Sequence, residues 1–145
     1  MLYVLKLSHG KWYVGLTTRD GVEYRFYRHC HGAGCDWTTT HPPIAMYEII
    51  ELTGRYPGLD EVYCTLELMV KHGPDNMRGA LFTEDAGLHD DDLMIIDRIM
   101  MSALEKCYHC HGVGHVRTAC PSRAQGRPAV QRPRPVPEPR SADQD

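Results

Sequence analysis

Two apolar segments divided by a tight polar turn, a third apolar strand after residue 43 and three stretches of helical spacing predict an α/β fold. The expected architecture is a small three-stranded antiparallel sheet flanked by helices, with a metal-binding loop near residue 107 and a disordered tail behind it.

Leu2 to Leu7 reads as the first strand. Ser8-His9-Gly10-Lys11 is a hairpin signal, and Trp12 to Thr17 resumes as the second strand. His9 and Lys11 at the turn are read as solvated. Gly21 to His31 is read as a helix, and the four-residue interval between Arg25 and His29 puts both on one face of it. Gly32 to Pro43 holds two glycines and Pro42-Pro43, which exclude a regular element throughout. Ile44 to Leu52, with Tyr47, Ile49 and Ile50, reads as the third strand. Beyond Pro57-Gly58 a helix from Leu59 to His72 turns Val62, Leu66, Met69 and Val70 inward. Glu67 lies beside that stripe, facing the sheet edge, and Asn76 follows just after Gly73-Pro74 stops the helix.

A last helix is expected over Asp90 to Glu105, with Asp90, Asp91 and Asp92 at its positive N-terminal end. Leu93, Ile96, Ile99, Met100 and Leu104 form its packing surface. The domain boundaries follow as 1–83 for the α/β domain, 84–106 for a connecting helix, 107–120 for the metal-binding loop and 121–145 for the tail. Arg and Pro alternate in that tail with little to bury, so it is expected to be disordered or extended.

At 145 residues with 42% hydrophobic side chains, the chain has room for one core and an appendage. The net charge of −3 is unevenly spread. Six acids and no Lys or Arg fall in residues 84–97, whereas residues 106–140 carry seven Lys or Arg against Glu138 alone. The basic C-terminal segment suits a nucleic-acid contact. No apolar run is long enough for a bilayer and no leader pattern stands at the start, so an intracellular setting without membrane contact is expected.

The side-chain types that phosphodiester hydrolysis requires occur in order. A carboxylate must hold a divalent metal, a positioned group must take a proton from water, and a cation must meet the charge that builds on phosphorus. The order Tyr3, Tyr13-Val14-Gly15, Arg25-Phe26-x-x-His29, Glu67 and Asn76 resembles the GIY-YIG endonuclease superfamily over roughly the N-terminal half of the chain. Leu2-Tyr3-Val4 stands where that family has Gly-Ile-Tyr. The resemblance implies a catalytic set of Tyr3, Tyr13, Arg25, His29, Glu67 and Asn76. Glu67 would bind Mg²⁺ or Mn²⁺, and Arg25 would stabilise the transition state. One of the two tyrosines would assist deprotonation of water, His29 would shape the hydrogen bonds around it, and Asn76 would close the site. Arg25 is preferred to Arg28 because only Arg25 precedes a histidine by one helical turn.

The second motif is Cys107-x2-Cys110-x4-His115-x4-Cys120. Three thiolates and one imidazole in so short a span predict a closed tetrahedral shell for one zinc ion, on which the folding of such a small loop depends. A disulfide framework is the weaker reading in a chain with no secretory signal. Cys30, Cys35 and Cys64 are scattered and read as inert thiols, and His41 as a structural or exposed loop residue. The spacing resembles the CCHC zinc knuckle of nucleocapsid-type proteins, with His111 where a glycine is usual. That resemblance implies that Tyr108 stacks on bases while Lys106 and Arg117 meet phosphates of single-stranded DNA or RNA.

The expected function is metal-dependent endonucleolytic hydrolysis of DNA, with the knuckle adding nucleic-acid affinity. The alternatives are a catalytically inactive nucleic-acid-binding protein built on the same domain, and an RNA-binding knuckle protein whose α/β domain is unrelated.

Overall fold

A computed structural model describes residues 1–52, 54–126 and 129. The chain divides into two compact units, Met1–Met100 and Met101–Asp145.

The first unit is α/β. Strands β1 (Leu2–Leu7) and β2 (Trp12–Leu16) form the hairpin, and the register pairs Tyr3 with Gly15 and Val4 with Val14. Helices α1 (Val22–Cys30) and α2 (Asp36–Thr40) precede β3 (Pro43–Ile50), which returns antiparallel to β1 on its other side. Helix α3 (Pro57–His72) starts on a proline, whose missing N–H costs nothing in the first turn, and ends at Gly73 with φ 89°. It leads to β4 (Met77–Gly79), which lies parallel to β2, so the strand order is β3-β1-β2-β4.

The sheet is therefore four-stranded and mixed, not three-stranded and antiparallel as expected. Met77-Arg78-Gly79 is too short for a readable alternation, and a parallel partner for β2 is available only through a crossover, which α3 supplies. The short helix α2 occupies only part of the 32–43 segment, in which a regular element throughout was excluded.

Alternation along β1 sends successive side chains into two cores. Leu2 and Val4 join Val14, Leu68, Met69, Met77, Ile96 and Met100 on the face covered by α3 and helix α4 (Asp90–Ala103). Tyr3, Leu5 and Leu7 join Val22 and Trp37 on the face covered by α1 and α2. Helix α4 begins with Asp90, Asp91 and Asp92. Up to Met100 it belongs to the core of the first unit, where a separate connecting helix was expected.

Arg78 is buried on β4, where its guanidinium donates to the carbonyls of Glu84, Pro74 and Met77 and lies 4.3 Å from the Trp37 ring centroid. Three carbonyls and an aromatic face thus take the place of a carboxylate partner.

In the second unit, Pro121–Ala124 forms a single helical turn, α5. The expected extended tail lies outside the described residues from 127 onward, apart from Ala129. Among the described residues no helix is long and apolar enough to cross a membrane.

Ile96 is fully buried, so Ile96→Ala is expected to destabilise the first unit by about 2–5 kcal/mol, through lost transfer energy and the cavity left behind. Urea unfolding should show a lower midpoint at unchanged slope. A midpoint equal to that of the wild type would mean that α4 does not belong to this core.

Candidate functional site

A cavity of about 330 Å³ opens on the α1 face of the sheet, lined by Tyr3, Tyr13, Arg25, Arg28, His29 and Glu61 together with Leu16 and the 33–35 turn. Its floor is the hairpin. Tyr3 and Tyr13 sit on adjacent strands with ring centroids 6.3 Å apart, and the His29 ring lies 5.9 and 5.0 Å from them respectively. Glycine is required at two places around this floor. A Cβ on Gly15, the residue paired with Tyr3, would collide with the Tyr3 ring and hydroxyl. A Cβ on Gly34 would collide with His29 Nδ1 and Thr38 Oγ1.

These hydroxyls and the imidazole form one directed chain. Thr38 Oγ1 donates its only proton to the Cys35 carbonyl, 3.0 Å away. It therefore accepts from His29 Nδ1–H at 2.8 Å, which leaves Nε2 as an acceptor for the Tyr3 hydroxyl at 3.0 Å. Thr38 thus sets the tautomer of His29, and the Tyr3 oxygen, its proton committed to His29, accepts from the Tyr13 hydroxyl and keeps one lone pair for a further donor.

Burial dominates the electrostatics. It pushes the Tyr3 phenol up to about 12 against the opposing pull of the Arg25 guanidinium. Tyr13 rises further, through burial and then through Tyr3 beside it. The His29 ring, 4% exposed, is held down to about 4 by burial, then by Arg25 and Arg28. It is neutral near pH 7. Burial also raises the Glu61 carboxyl, which the Ala80 N–H partly offsets. A carboxyl in that state gains when a cation binds beside it.

Of the residues expected at a catalytic site, Tyr3, Tyr13, Arg25 and His29 converge on this cavity, and Glu67 and Asn76 do not. Glu67 is exposed. Six residues along an α-helix turn a side chain through about 600°, which puts Glu67 about 120° around the axis from Glu61. Glu61 lies one turn before the buried Thr65, whose hydroxyl donates to the Glu61 carbonyl at 2.8 Å. Beyond Val14, the partner of Gly79, β2 has no β4 residue beside it, and the cavity lies at that end of the hairpin. Asn76 closes the C-terminal end of α3. Its Nδ2 donates to the His72 carbonyl at 3.0 Å, and its Oδ1 accepts from Lys11 Nζ at 3.1 Å. Lys11, expected to be solvated, is thereby held to the segment after α3.

Arg28 was weighed only as a substitute for Arg25, and Thr38, Gly34 and Glu61 were not singled out by the motifs. Only Glu61 carried a usable signal, as an acid early in a helix that begins at a proline. Of the other first-unit cysteines, Cys30 is exposed, Cys35 lines the cavity, and buried Cys64 is pushed up to about 11 by burial.

In the second unit, the ligand atoms of Cys107, Cys110, His115 and Cys120 all lie within 4.8 Å of one another, a group that could hold a metal ion. Cys107 N–H donates to the Gly112 carbonyl and His111 N–H to the Cys107 carbonyl, both at 2.8 Å, so the loop closes on itself. His111 at φ 59° and Gly114 at φ 80° make the reversals between ligands. Burial opposes ionisation of Cys107, yet the backbone N–H groups of Cys110 and His109 hold its thiol down to about 7. Tyr108 is 46% exposed beside this cluster.

No family model, curated protein or solved structure matches the chain.

The His29 shift makes stability depend on pH. An unfolded histidine takes up its proton near 6.5 and the folded one only near 4, so between these values the unfolded state binds more protons and stability rises with pH. As pH falls from about 6.5 to 4 this contribution is lost. Urea midpoints of wild type and His29→Gln, compared across that range, should show a shallower pH slope in the variant. Parallel slopes would contradict the assignment.

Proposed function

We propose that the first unit is a divalent-metal-dependent phosphodiesterase acting on nucleic acid as an endonuclease of the GIY-YIG type, with Glu61 rather than Glu67 as its metal-binding carboxylate. The observation that carries this reading is the meeting of two tyrosine hydroxyls, a neutral histidine, two arginines and one carboxylate at a single cavity. The chemistry of the donor set fits the metal. A lone carboxylate among hydroxyls matches Mg²⁺ or Mn²⁺, which keep several waters and complete their shell with phosphate oxygens. When bound there, such an ion supplies Lewis acidity at the phosphoryl group.

The chain's own residues divide the remaining work. Arg25 and Arg28 attract the phosphodiester and meet the charge that develops on its oxygens. Tyr3 passes its proton to His29 Nε2 as its oxygen accepts one from the attacking water. His29 can do so because Thr38 fixes its tautomer and burial, aided by the arginines, keeps it neutral beforehand. Tyr13, next to both rings, stays neutral because burial raises its phenol, and it orients the Tyr3 hydroxyl. An inactive scaffold would have little reason to keep arginines, tyrosines and Glu61 around one open cavity.

For the second unit we propose one structural zinc, held by Cys107, Cys110, His115 and Cys120. A set of three thiolates and one imidazole matches a closed tetrahedral zinc site. Exposed Tyr108 with Lys106 and Arg117 then forms a contact for single-stranded DNA or RNA.

Glu61→Ala is expected to abolish Mg²⁺- or Mn²⁺-dependent cleavage of DNA with the fold intact, whereas Glu67→Ala retains it. Arg25→Ala should lower the rate by about two to three orders of magnitude. Wild-type turnover by Glu61→Ala, or loss of turnover in Glu67→Ala alone, would reject the assignment.

Elemental analysis should find one zinc per chain, and Cys110→Ser should lose it. Tyr108→Ala should weaken single-strand affinity by about 1–3 kcal/mol with zinc retained. An unchanged affinity would point to a protein partner for the knuckle.

A further inference from the structure

Helix α1 carries more exposed aromatic surface than its packing uses. Val22 and His29 are its buried residues, while Tyr24 and Tyr27 are 63% and 58% exposed. At 100° per residue, Tyr24, Tyr27, Arg28 and His31 fall on one continuous stripe, because their intervals of three, four and seven residues bring side chains together. The Tyr27 and His31 rings are already stacked, with centroids 3.9 Å apart and 28° between planes, and His31 Nδ1 lies 2.8 Å from the Tyr27 carbonyl. The same helix delivers Arg25 and Arg28 to the cavity wall, so Arg28 belongs to both the stripe and the cavity. Glu23 is the sole acid on α1.

We propose that Tyr24, Tyr27 and His31 form a stacking platform for unpaired nucleotides adjoining the scissile phosphate, so that the substrate is a nucleic acid with a single-stranded segment. This inference rests on the reading of the cavity as a phosphodiesterase. Charge complementarity names the occupant. The arginines need phosphates, and the exposed rings beside them need flat π-faces within a nucleotide or two of those phosphates. A single strand offers both. An intact duplex hides its base faces in the stack and satisfies only the arginines, and an acidic peptide leaves the rings without partners.

The test uses the full-length chain in a Tyr108→Ala background, without added Mg²⁺ or Mn²⁺, so that knuckle stacking and cleavage do not contribute. Fluorescence anisotropy is read with a fluorescein-labelled oligothymidylate of about 15 nucleotides, a length that spans one such groove, and with a blunt duplex of the same length. Adding Tyr24→Ala and Tyr27→Ala should weaken single-strand binding by about tenfold or more, and duplex binding far less. Tyr27→Phe, which keeps the ring, should bind as the parent does. Photocrosslinking of a 5-iodouracil-substituted strand should map to the Val22–His31 peptide. Unchanged single-strand affinity, equal loss on both probes, or crosslinks confined to other segments would overturn the platform.

Hydrolysis of bis(p-nitrophenyl) phosphate with Mn²⁺ separates the two readings, since this diester carries no base to stack. The platform predicts equal rates with and without the Tyr24→Ala and Tyr27→Ala changes. A rate lost with those changes would assign both tyrosines to the cavity itself and overturn the platform. Failure of the wild type to hydrolyse the diester would reject the phosphodiesterase reading, while the anisotropy and crosslinking results decide the platform on their own.

Discussion

Strand β1 lies between β2 and β3, and nearly every side chain along it is buried in one of two cores. A slip of one residue in its pairing would exchange those cores, sending Leu2 and Val4 to the α1 face and Tyr3 to the α3 face. The Tyr3 hydroxyl reaches His29 only in the present register, which also places Gly15 opposite Tyr3 and frees the space its ring occupies. Hydrophobic sorting on one strand thus fixes the polar geometry of the cavity to within a hydrogen bond. The electrostatics follow from the same burial, since desolvation raises both phenols and keeps the imidazole neutral.

Much of this was legible in the residues because it depends on short intervals. The hairpin turn, the helical interval from Arg25 to His29 and the ligand spacing from Cys107 to Cys120 each span few enough residues that local geometry settles which side chains meet. The carboxylate was harder to read. Glu61 and Glu67 share a helix, and choosing between them requires knowing which face of α3 turns toward the end of the hairpin. That depends on where β4 stops. The strand itself, Met77–Gly79, is three residues long and has no period to detect. The place of Asn76 was hidden for a related reason, since its hydrogen bonds run to His72 and Lys11, and Lys11 is distant in sequence. Thr38 and Gly34 act on His29 from the 32–43 segment, where composition excludes a regular element throughout but does not reveal α2.

Polar groups away from the cavity also serve the fold. Arg78 spends its charge on three carbonyls and the Trp37 face, joining β4, the turn before it and the chain after it around α2. Burial works against its charge, with Asp75 and Asp85 offsetting this from outside. Lysine, with a compact ammonium in place of a planar fork, could not serve the same carbonyls together.

The two indoles of the chain, Trp12 and Trp37, both lie in the first unit. Trp37 is 3% exposed beneath the Arg78 guanidinium, and Trp12 stacks on His72 at 4.3 Å. Emission excited at the red edge of the indole band therefore comes from the Met1–Met100 unit alone and changes when its cores open. The Met101–Asp145 unit contributes no indole, and a thiolate-to-metal charge-transfer band from a cobalt-substituted Cys107 cluster would report it separately. One sample thus offers two optical channels, one for each half of the molecule.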